Sequence, residues 1–491
     1  MLLRVFRFQA EKLRVSRPSK IAAFSLLLAI FSFATILAGQ FVAHDPGVRG
    51  GTLDSGQPLA SLPQTQGATE FFNNGFMRFQ DVEVVKGGDN NGLGPRFNTN
   101  SCSSYHAQPA VGGTSPSAAI YPNLGQNPET LVYNLNGAQN YLPSFITPDG
   151  PVREARFKFF LNPDGSLSNS PDGGVHDLFV ITGRPDADNC SIKQPNFAHH
   201  LELGNVIFRI PTPVFGAGLM ENIADETILA NMRSARERKE ALGIAGHPNR
   251  NGNDGTISRF GWKAQNKSLE VFAGEAYNVE MGVTNELFPE ERPSPNEEEH
   301  GGLPASCKLN KTPEDVSNFT VLADSDPTAQ NAQVPSDTVQ FAMFMRLLAP
   351  PAPSTSNPGG ANSIARGRHV FGAAGCALCH TPAMRTAQSS FTSDLSEQNA
   401  ELFSDLLVHH MGSNLADGVS QGGAGPDEFR SAPLWGLGQR IFLLHDGRTK
   451  DLVDAIQQHA SPGSEASGVI RNFNNLPPQQ QQDLLNFLRS L

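Results

Sequence analysis

Apolar positions recur at helical spacing in several places along the chain. From Ala68 to Phe79 the residues Phe71, Phe72, Phe76 and Phe79 share one face, which predicts an amphipathic helix. Short helices are expected over Ile364–Phe371, Asp405–Met411 and Asp451–His459. A closing helix is expected over Gln480–Leu491, with Leu484, Leu485, Leu488 and Leu491 as its apolar face. Strand-like pieces fall at Ala155–Leu161, Asp177–Thr182 and Val206–Ile210, the first followed by a Pro-Asp-Gly turn at 163–165. They predict a small β elaboration grafted on a helical domain. Gln421–Gly425 reads as a flexible loop. Residues 41–66, rich in Gly, Ser, Pro and Gln, read as a linker, and so do residues 349–360 with Pro350, Pro351, Pro353, Pro358 and Gly359-Gly360.

The first 40 residues have a different pattern. Arg4, Arg7, Lys12, Arg14, Arg17 and Lys20 precede an apolar run from Ile21 to Gly39. This is a secretory signal or an uncleaved membrane anchor, and small residues at Ala38, Gly39 and Ala43 offer cleavage points. Export to a periplasmic or similar compartment with cleavage is the favoured expectation. Cleavage after Gly39 would remove six basic residues and one acidic residue, taking the net charge from −11 to −16. That acidity argues against nucleic-acid binding and suits a basic electron-carrier partner, although a solvated acidic surface explains it equally well. At 491 residues, with 38% hydrophobic content, the chain can bury two or three cores, and 47 Gly and 36 Pro favour a loop-rich fold.

The sharpest chemical signal is Gly375-Cys376-Ala377-Leu378-Cys379-His380, a C-x-x-C-H signature for covalent haem attachment. Two thiols three residues apart can each form a thioether, and the next residue, His380, is placed as proximal iron ligand. A redox dithiol would need a βαβ setting and a zinc site a second ligand pair; neither is visible. Earlier in the chain, Cys102-Ser103-Ser104-Tyr105-His106 nearly repeats the motif, with tyrosine at the second cysteine. The echo extends further. Phe208–Gly218 resembles Phe429–Gly438, both carrying P-x-x-G-x-G, and Gly261–Ala264 through Glu270 resembles Gly447–Lys450 through Val453. The expected fold is therefore mainly α, with two tandem cytochrome c-like domains at 67–348 and 361–491, the first carrying the β-containing insertion. Cys190 and Cys307 remain, and an exported setting makes a disulfide between them an even choice.

With these motifs the chain resembles the bacterial di-haem cytochrome c peroxidases, and more closely their di-haem oxidoreductase relatives. The resemblance spans about residues 67–491. It rests on Gly94-Pro95-Arg96-Phe97-Asn98, on Ala276–Gly282 (similar to an N-P-V-E-M-G segment), and on Cys376–His380 with Thr381-Pro382. Leu406–Gly412, Phe442–Arg448 and Ala455–His459 add to it. It implies that His380 is proximal ligand of an electron-transfer haem c held by Cys376 and Cys379. His459 stands where the peroxidases place a distal methionine, with Met411 as the rival ligand and His445 as a support of the pocket. At a second haem, His106 would be proximal, Cys102 the one thioether donor, and Glu280 the acid–base residue over the iron. Tyr105 departs from the pattern and leaves three alternatives there: a singly attached haem, a non-covalent one, or none. Some relatives also hold a calcium ion between the domains. Trp262 and Trp435 are the two tryptophans, each either core or a bridge between the sites.

The leading expectation is thus an exported di-haem oxidoreductase of peroxidase type. It would take electrons from a small cytochrome c or cupredoxin carrier and reduce a peroxide-like substrate, as a monomer or homodimer. The alternatives are a non-catalytic electron-transfer cytochrome with one functional haem at Cys376–His380, and an oxidase of organic or protein substrates like the enzyme that matures methylamine dehydrogenase.

Overall fold

A computed structural model describes residues 41–50, 54–62, 67–88, 90–97, 99–116, 127–132, 142–171, 184–192, 194–292, 302–317, 335–389 and 392–491. The export segment at 1–40 and the strand expected at Asp177–Thr182 lie outside these residues. Residues His44–Leu491 form one unit and Met1–Ala43 another. No helix among the described residues is long and apolar enough to cross a membrane.

The fold is mainly α with small two-stranded sheets. Its longer helices are α1 (Ala68–Arg78), α2 (Asp225–Arg233), α3 (Leu269–Met281), α4 (Asp337–Leu347), α5 (Ala361–Ala374), α6 (Ser467–Asn474) and α7 (Pro478–Ser490). The α1 face is built as the phenylalanine spacing predicts, with one exception. Phe72, Phe76 and Phe79 lie 5.5, 5.7 and 5.0 Å from the Phe344 ring of α4, whereas Phe71 turns outward and is 49% exposed. A stripe holding both of two successive residues is wider than one packed neighbour covers. Gly75 lets the helices touch, since a Cβ there would stand 2.4 Å from the Gln340 carbonyl oxygen. On its other side α4 meets α3, where Tyr277 and Phe341 pack edge to face at 5.1 Å. The Cys190–Cys307 disulfide closes a 117-residue separation beside this core.

The expected strand Ala155–Leu161 divides into β1 (Glu154–Phe157) and β2 (Phe159–Leu161), which take different partners. β2 turns back through Gly165, at φ 82°, to β3 (Leu167–Pro171). β1 pairs antiparallel with β4 (Val206–Arg209), so that Glu154 faces Arg209 and Ala155 faces Phe208. Two-residue strands, β5 (Met384–Arg385) and β6 (Asn399–Ala400), make a third small sheet.

The helix expected over Asp405–Met411 is not formed. Leu406 sits at φ 61°, which stops a right-handed helix, and Val408–His410 is strand β7, paired with β8 (Glu428–Arg430). Leu406, Leu407 and Val408 are all at most 1% exposed. A run buried on every side carries no periodicity from which helix and strand can be told apart.

Helices α5 and α7 cross closely, as expected for the elements flanking the C-x-x-C-H segment. Leu484, Leu485, Leu488 and Leu491 are all buried, and Phe487 packs edge-on against Phe371 and Phe403. Asp483 of α7 accepts hydrogen bonds from Ser363 and Arg366 of α5. The helix expected over Asp451–His459 forms at Leu452–Gln458, with the Asp451 side chain accepting from the Asp454 amide as N-cap. The two P-x-x-G-x-G turns both need glycine: Gly216 and Gly436 have φ of 66° and 73°. A Cβ on Gly216 would meet the Trp435 ring at 2.5 Å, and one on Gly436 would meet Pro351 at 3.1 Å.

The tightest helix contact is at Gly367, where a Cβ would stand 1.9 Å from the Asp483 carbonyl oxygen. Gly367→Ala is expected to force α5 off α7 and cost about 1–3 kcal/mol despite the better helix propensity of alanine. Chemical denaturation checks this, and an unchanged midpoint would show that the helices can part freely.

Candidate functional site: two chambers with a shared wall

The sequence-predicted site residues fall into two cavities. Cys376, Cys379, His380, Met411 and His459 line the larger, a mostly apolar chamber with about 1550 Å³ of empty volume. Cys102, His106 and Glu280 line the smaller, of about 830 Å³. Ile210 and Trp262 line both. Trp262 is fixed in this wall by donating its indole N–H to the Ile210 carbonyl at 2.8 Å, and the Ile210 amide in turn donates to the His445 carbonyl at 2.7 Å. Trp435 instead packs in the core, 5% exposed.

In the larger chamber Cys376–Leu378 forms a single 3₁₀ turn after Gly375, whose φ of 111° only glycine tolerates easily. The turn places both thiols and His380 on the chamber wall. The His380 ring pairs through Nδ1 with the Phe403 carbonyl at 3.0 Å, and His459 pairs the same atom with the Ala455 carbonyl at 2.7 Å. A carbonyl can only accept, so Nδ1 carries the hydrogen in both rings and Nε2 keeps its lone pair. Burial, and secondarily the nearness of His459, holds His380 down at about 4, and burial also lowers His459. Both rings are neutral acceptors near pH 7. His445, stacked on Phe429 at 4.4 Å, lines the same chamber.

Sequence reasoning missed the acidic support beneath this wall. His409 lies between Glu465, 2.8 Å from Nδ1, and Asp405, 3.1 Å from Nε2, with the Cys379 sulfur 3.7 Å away. Burial alone would lower its pKa, but Cys379 and Asp405 outweigh burial and hold it well above the ordinary histidine value. The ring is therefore an imidazolium with both nitrogens engaged.

In the smaller chamber His106 pairs Nδ1 with the Gly113 carbonyl at 2.9 Å, the same arrangement as at His380 and His459, and burial lowers its pKa. Tyr105, at the position of the absent cysteine, is only 3% exposed and lines the same chamber. Glu280 stands in the last turn of α3. Two further charged residues that the sequence reading passed over line this chamber: Glu154 and Arg156, two apart on β1 and hence on one side of the strand. Burial, then the charge and hydrogen bond of Glu154, push Glu280 well above the usual carboxylate range against the opposing pull of Arg156.

Behind the shared wall lies a buried ionic cluster. Arg209 of β4 pairs with Asp417 at 2.6 Å, and Lys263, next to Trp262, reaches the same carboxylate at 3.2 Å. All three side chains are at most 3% exposed. Lys263 also donates to the Gly425 and Glu428 carbonyls. Burial pulls its pKa down to about 8, with Asp417 opposing.

These positions correct the cofactor expectation. One pair of the five cysteines is closed in the Cys190–Cys307 disulfide, leaving Cys102, Cys376 and Cys379 as free thiols. Among the described residues no group of three or more His, Cys, Asp or Glu side chains is assembled to hold a metal ion. A protein metal site needs several donors converging on one point. Here His409, Asp405 and Glu465 are committed to one another. A di-haem c complement with iron on His380, His106, His459 or Met411, and calcium between the domains, is not supported by these residues.

A sequence model of the family described as "Di-haem oxidoreductase, putative peroxidase" matches residues 158–491. The chain belongs to this family. The matched segment contains Glu280 and the whole larger chamber motif but begins after Cys102, His106, Glu154 and Arg156. No curated protein matches. Among solved structures, a chain of Kuenenia stuttgartiensis hydrazine synthase pressurised with xenon is similar at 18% identity and a TM-score of 0.21. That match covers 33% of this chain and 58% of that one, too loose a superposition to carry an argument. Membership of the family gives this protein a redox role of the general oxidoreductase type.

Two expectations follow. A pyridine haemochrome assay on purified protein should find fewer than two covalently bound haems per chain; two would reverse the correction above. Glu465 supplies an acid-sensitive contribution to stability. Burial alone would raise its pKa, but the His409 bond and charge and the Gly246 and Ala245 amides hold it at about 2, against an ordinary 4.5. Its stabilisation is therefore complete above about pH 4.5 and lost as pH falls towards 2. Glu465→Gln should lower stability at neutral pH and flatten the profile across that window in urea titrations; an unchanged slope would refute the linkage.

Proposed function

We propose that this chain is an exported oxidoreductase of peroxidase type, in which the smaller chamber is the reaction site and the larger chamber the side on which electrons arrive. The observation that carries this reading is the placement of Glu280, a half-buried carboxyl on the wall of the smaller chamber, where burial and then Glu154 raise its pKa well above the usual carboxylate range. Reduction of hydrogen peroxide is H₂O₂ + 2e⁻ + 2H⁺ → 2H₂O. Breaking the O–O bond is eased when one proton moves to the departing oxygen so that it leaves as water. A carboxyl with a raised pKa on a cavity wall suits that transfer. In this reading Trp262, which lines both chambers, serves as the bridge between electron arrival and peroxide. The electron donor is a small redox carrier, whose basic surface would complement this acidic chain, and the Cys190–Cys307 disulfide supports an oxidising compartment outside the cytoplasm. The two halves, 67–348 and 361–491, are read as cytochrome c-like domains joined by the proline-rich segment 349–360.

Tyr105 favours a second reading, a non-catalytic electron-transfer protein that uses the larger chamber alone. Steady-state oxidation of a reduced carrier by peroxide separates the two. The peroxidase reading expects turnover in the wild type and a loss of roughly 10²–10⁴-fold in kcat for Glu280→Gln, which keeps the shape and loses the proton. No peroxide-dependent oxidation by the wild type favours the second reading. Full turnover by Glu280→Gln removes the acid–base role of that residue.

A further inference from the structure

Glu280 and Glu154 line the smaller chamber together, and a side-chain hydrogen bond between them is among the causes that raise the Glu280 carboxyl. Two carboxylates have no hydrogen to share, so such a bond requires that one of them be protonated. The surroundings decide which. Arg156 donates from Nε at 2.9 Å and Nη2 at 2.8 Å to the same oxygen of Glu154, which favours the anion there. Glu280 lies in the last turn of α3, next to the Gly282 cap, where the negative end of the helix disfavours a second anion. The hydrogen therefore sits on Glu280 and points to Glu154.

The strand delivers this arrangement by alternation. Glu154 and Arg156 face the chamber, while Ala155 and Phe157 enter a small separate core with Ile146 and Phe197. The other charged or titratable groups about Glu280 come from each neighbouring element. Arg209 of β4 is committed to Asp417, and Glu275 lies on the same helix. Cys102, Tyr105 and His106 stand on the opposite segment, and Tyr277 turns its hydroxyl to Asp337. Helix α4 contributes only Phe341 and Met345.

We propose that Glu154, clamped by Arg156, is a positioning residue for the reaction proton: it accepts the hydrogen of Glu280 and holds that carboxyl loaded and oriented in the smaller chamber. The inference rests on the proposed function and adds to it a pair of residues that precede the family match. Once Glu280 gives up its proton, two adjacent anions remain, so reprotonation from solvent is driven before the next cycle.

The two partners act on Glu280 with opposite sign, and the test uses this. Glu154→Gln removes the anion, so Glu280 should lose its proton more readily, and the alkaline limb of kcat for peroxide reduction should move to lower pH by about one unit or more. Arg156→Gln removes the cation and should move the same limb to higher pH. A general packing defect would not shift the limb in opposite directions. Shifts of the same sign, or none, overturn the proposal, and if Glu154→Gln does not fold, the sign of the Arg156→Gln shift decides.

A second readout needs no turnover. The infrared carbonyl band of a protonated carboxyl, identified by its disappearance in Glu280→Gln, should titrate at lower pH in Glu154→Gln. A band that titrates as in the wild type overturns the pairing. A wild type without peroxide turnover but with the shifted band overturns the function and leaves the pairing intact.

Discussion

The Asp417 carboxylate, shared by Arg209 and Lys263 away from water, is the constraint on which the two chambers depend. Arg209 sits opposite Glu154 on the paired strand, and Lys263 follows Trp262 in sequence. One anion thus ties down the strand paired with the one that carries Glu154, and the loop that carries the shared wall. The loop supplying Asp417 belongs to the other half of the chain. Removing one partner of such a buried ionic contact strands the remaining charges and typically costs about 3–5 kcal/mol. Replacing the whole cluster by apolar side chains could be harmless to stability. It would also remove the tie between Lys263 and Arg209, so the cluster is better understood as a fixture of position than as a source of stability.

The same polar economy recurs on the chamber walls. His106, His380 and His459 each direct Nδ1–H to a main-chain carbonyl, which sets the tautomer and ring plane without a charged partner. His409 is held by carboxylates instead and is charged. The larger chamber is therefore lined by neutral rings and by one imidazolium, beside Cys379. The difference arises from what each ring meets on folding, and nothing in a histidine's immediate sequence neighbours announces it.

Much of the frame was legible in the sequence, for physical reasons. The phenylalanines of α1 and the leucines of α7 each sit on a helix with one wet face, so burial imprints a period on them. The C-x-x-C-H and C-x-x-Y-H segments mark the chambers because their spacing is dictated by a single turn. The Asp405–Met411 region misled because its Leu406–Val408 run is buried on all sides, and its left-handed Leu406 has no glycine to signal it. Glu154 and Arg156 escaped notice because a four-residue strand gives too short an alternation to separate a chamber face from a solvent face. The pattern E-A-R-F, charged and apolar in turn, was the available signal. The cofactor expectation rested on motif and resemblance; side-chain convergence, which a metal site requires, is a property of the folded chain alone.

Trp435 occupies the space that Gly216 leaves by lacking a side chain, although the two residues lie in different halves of the chain. An indole that serves as the missing side chain of a distant glycine couples two positions in evolution. Gly216 cannot acquire even a methyl group while Trp435 is present, and a smaller residue at 435 would leave a hollow that glycine cannot fill. A reciprocal restraint acts at Gly436 through Pro351. Neither Gly216 nor Trp435 can drift without the other changing in step.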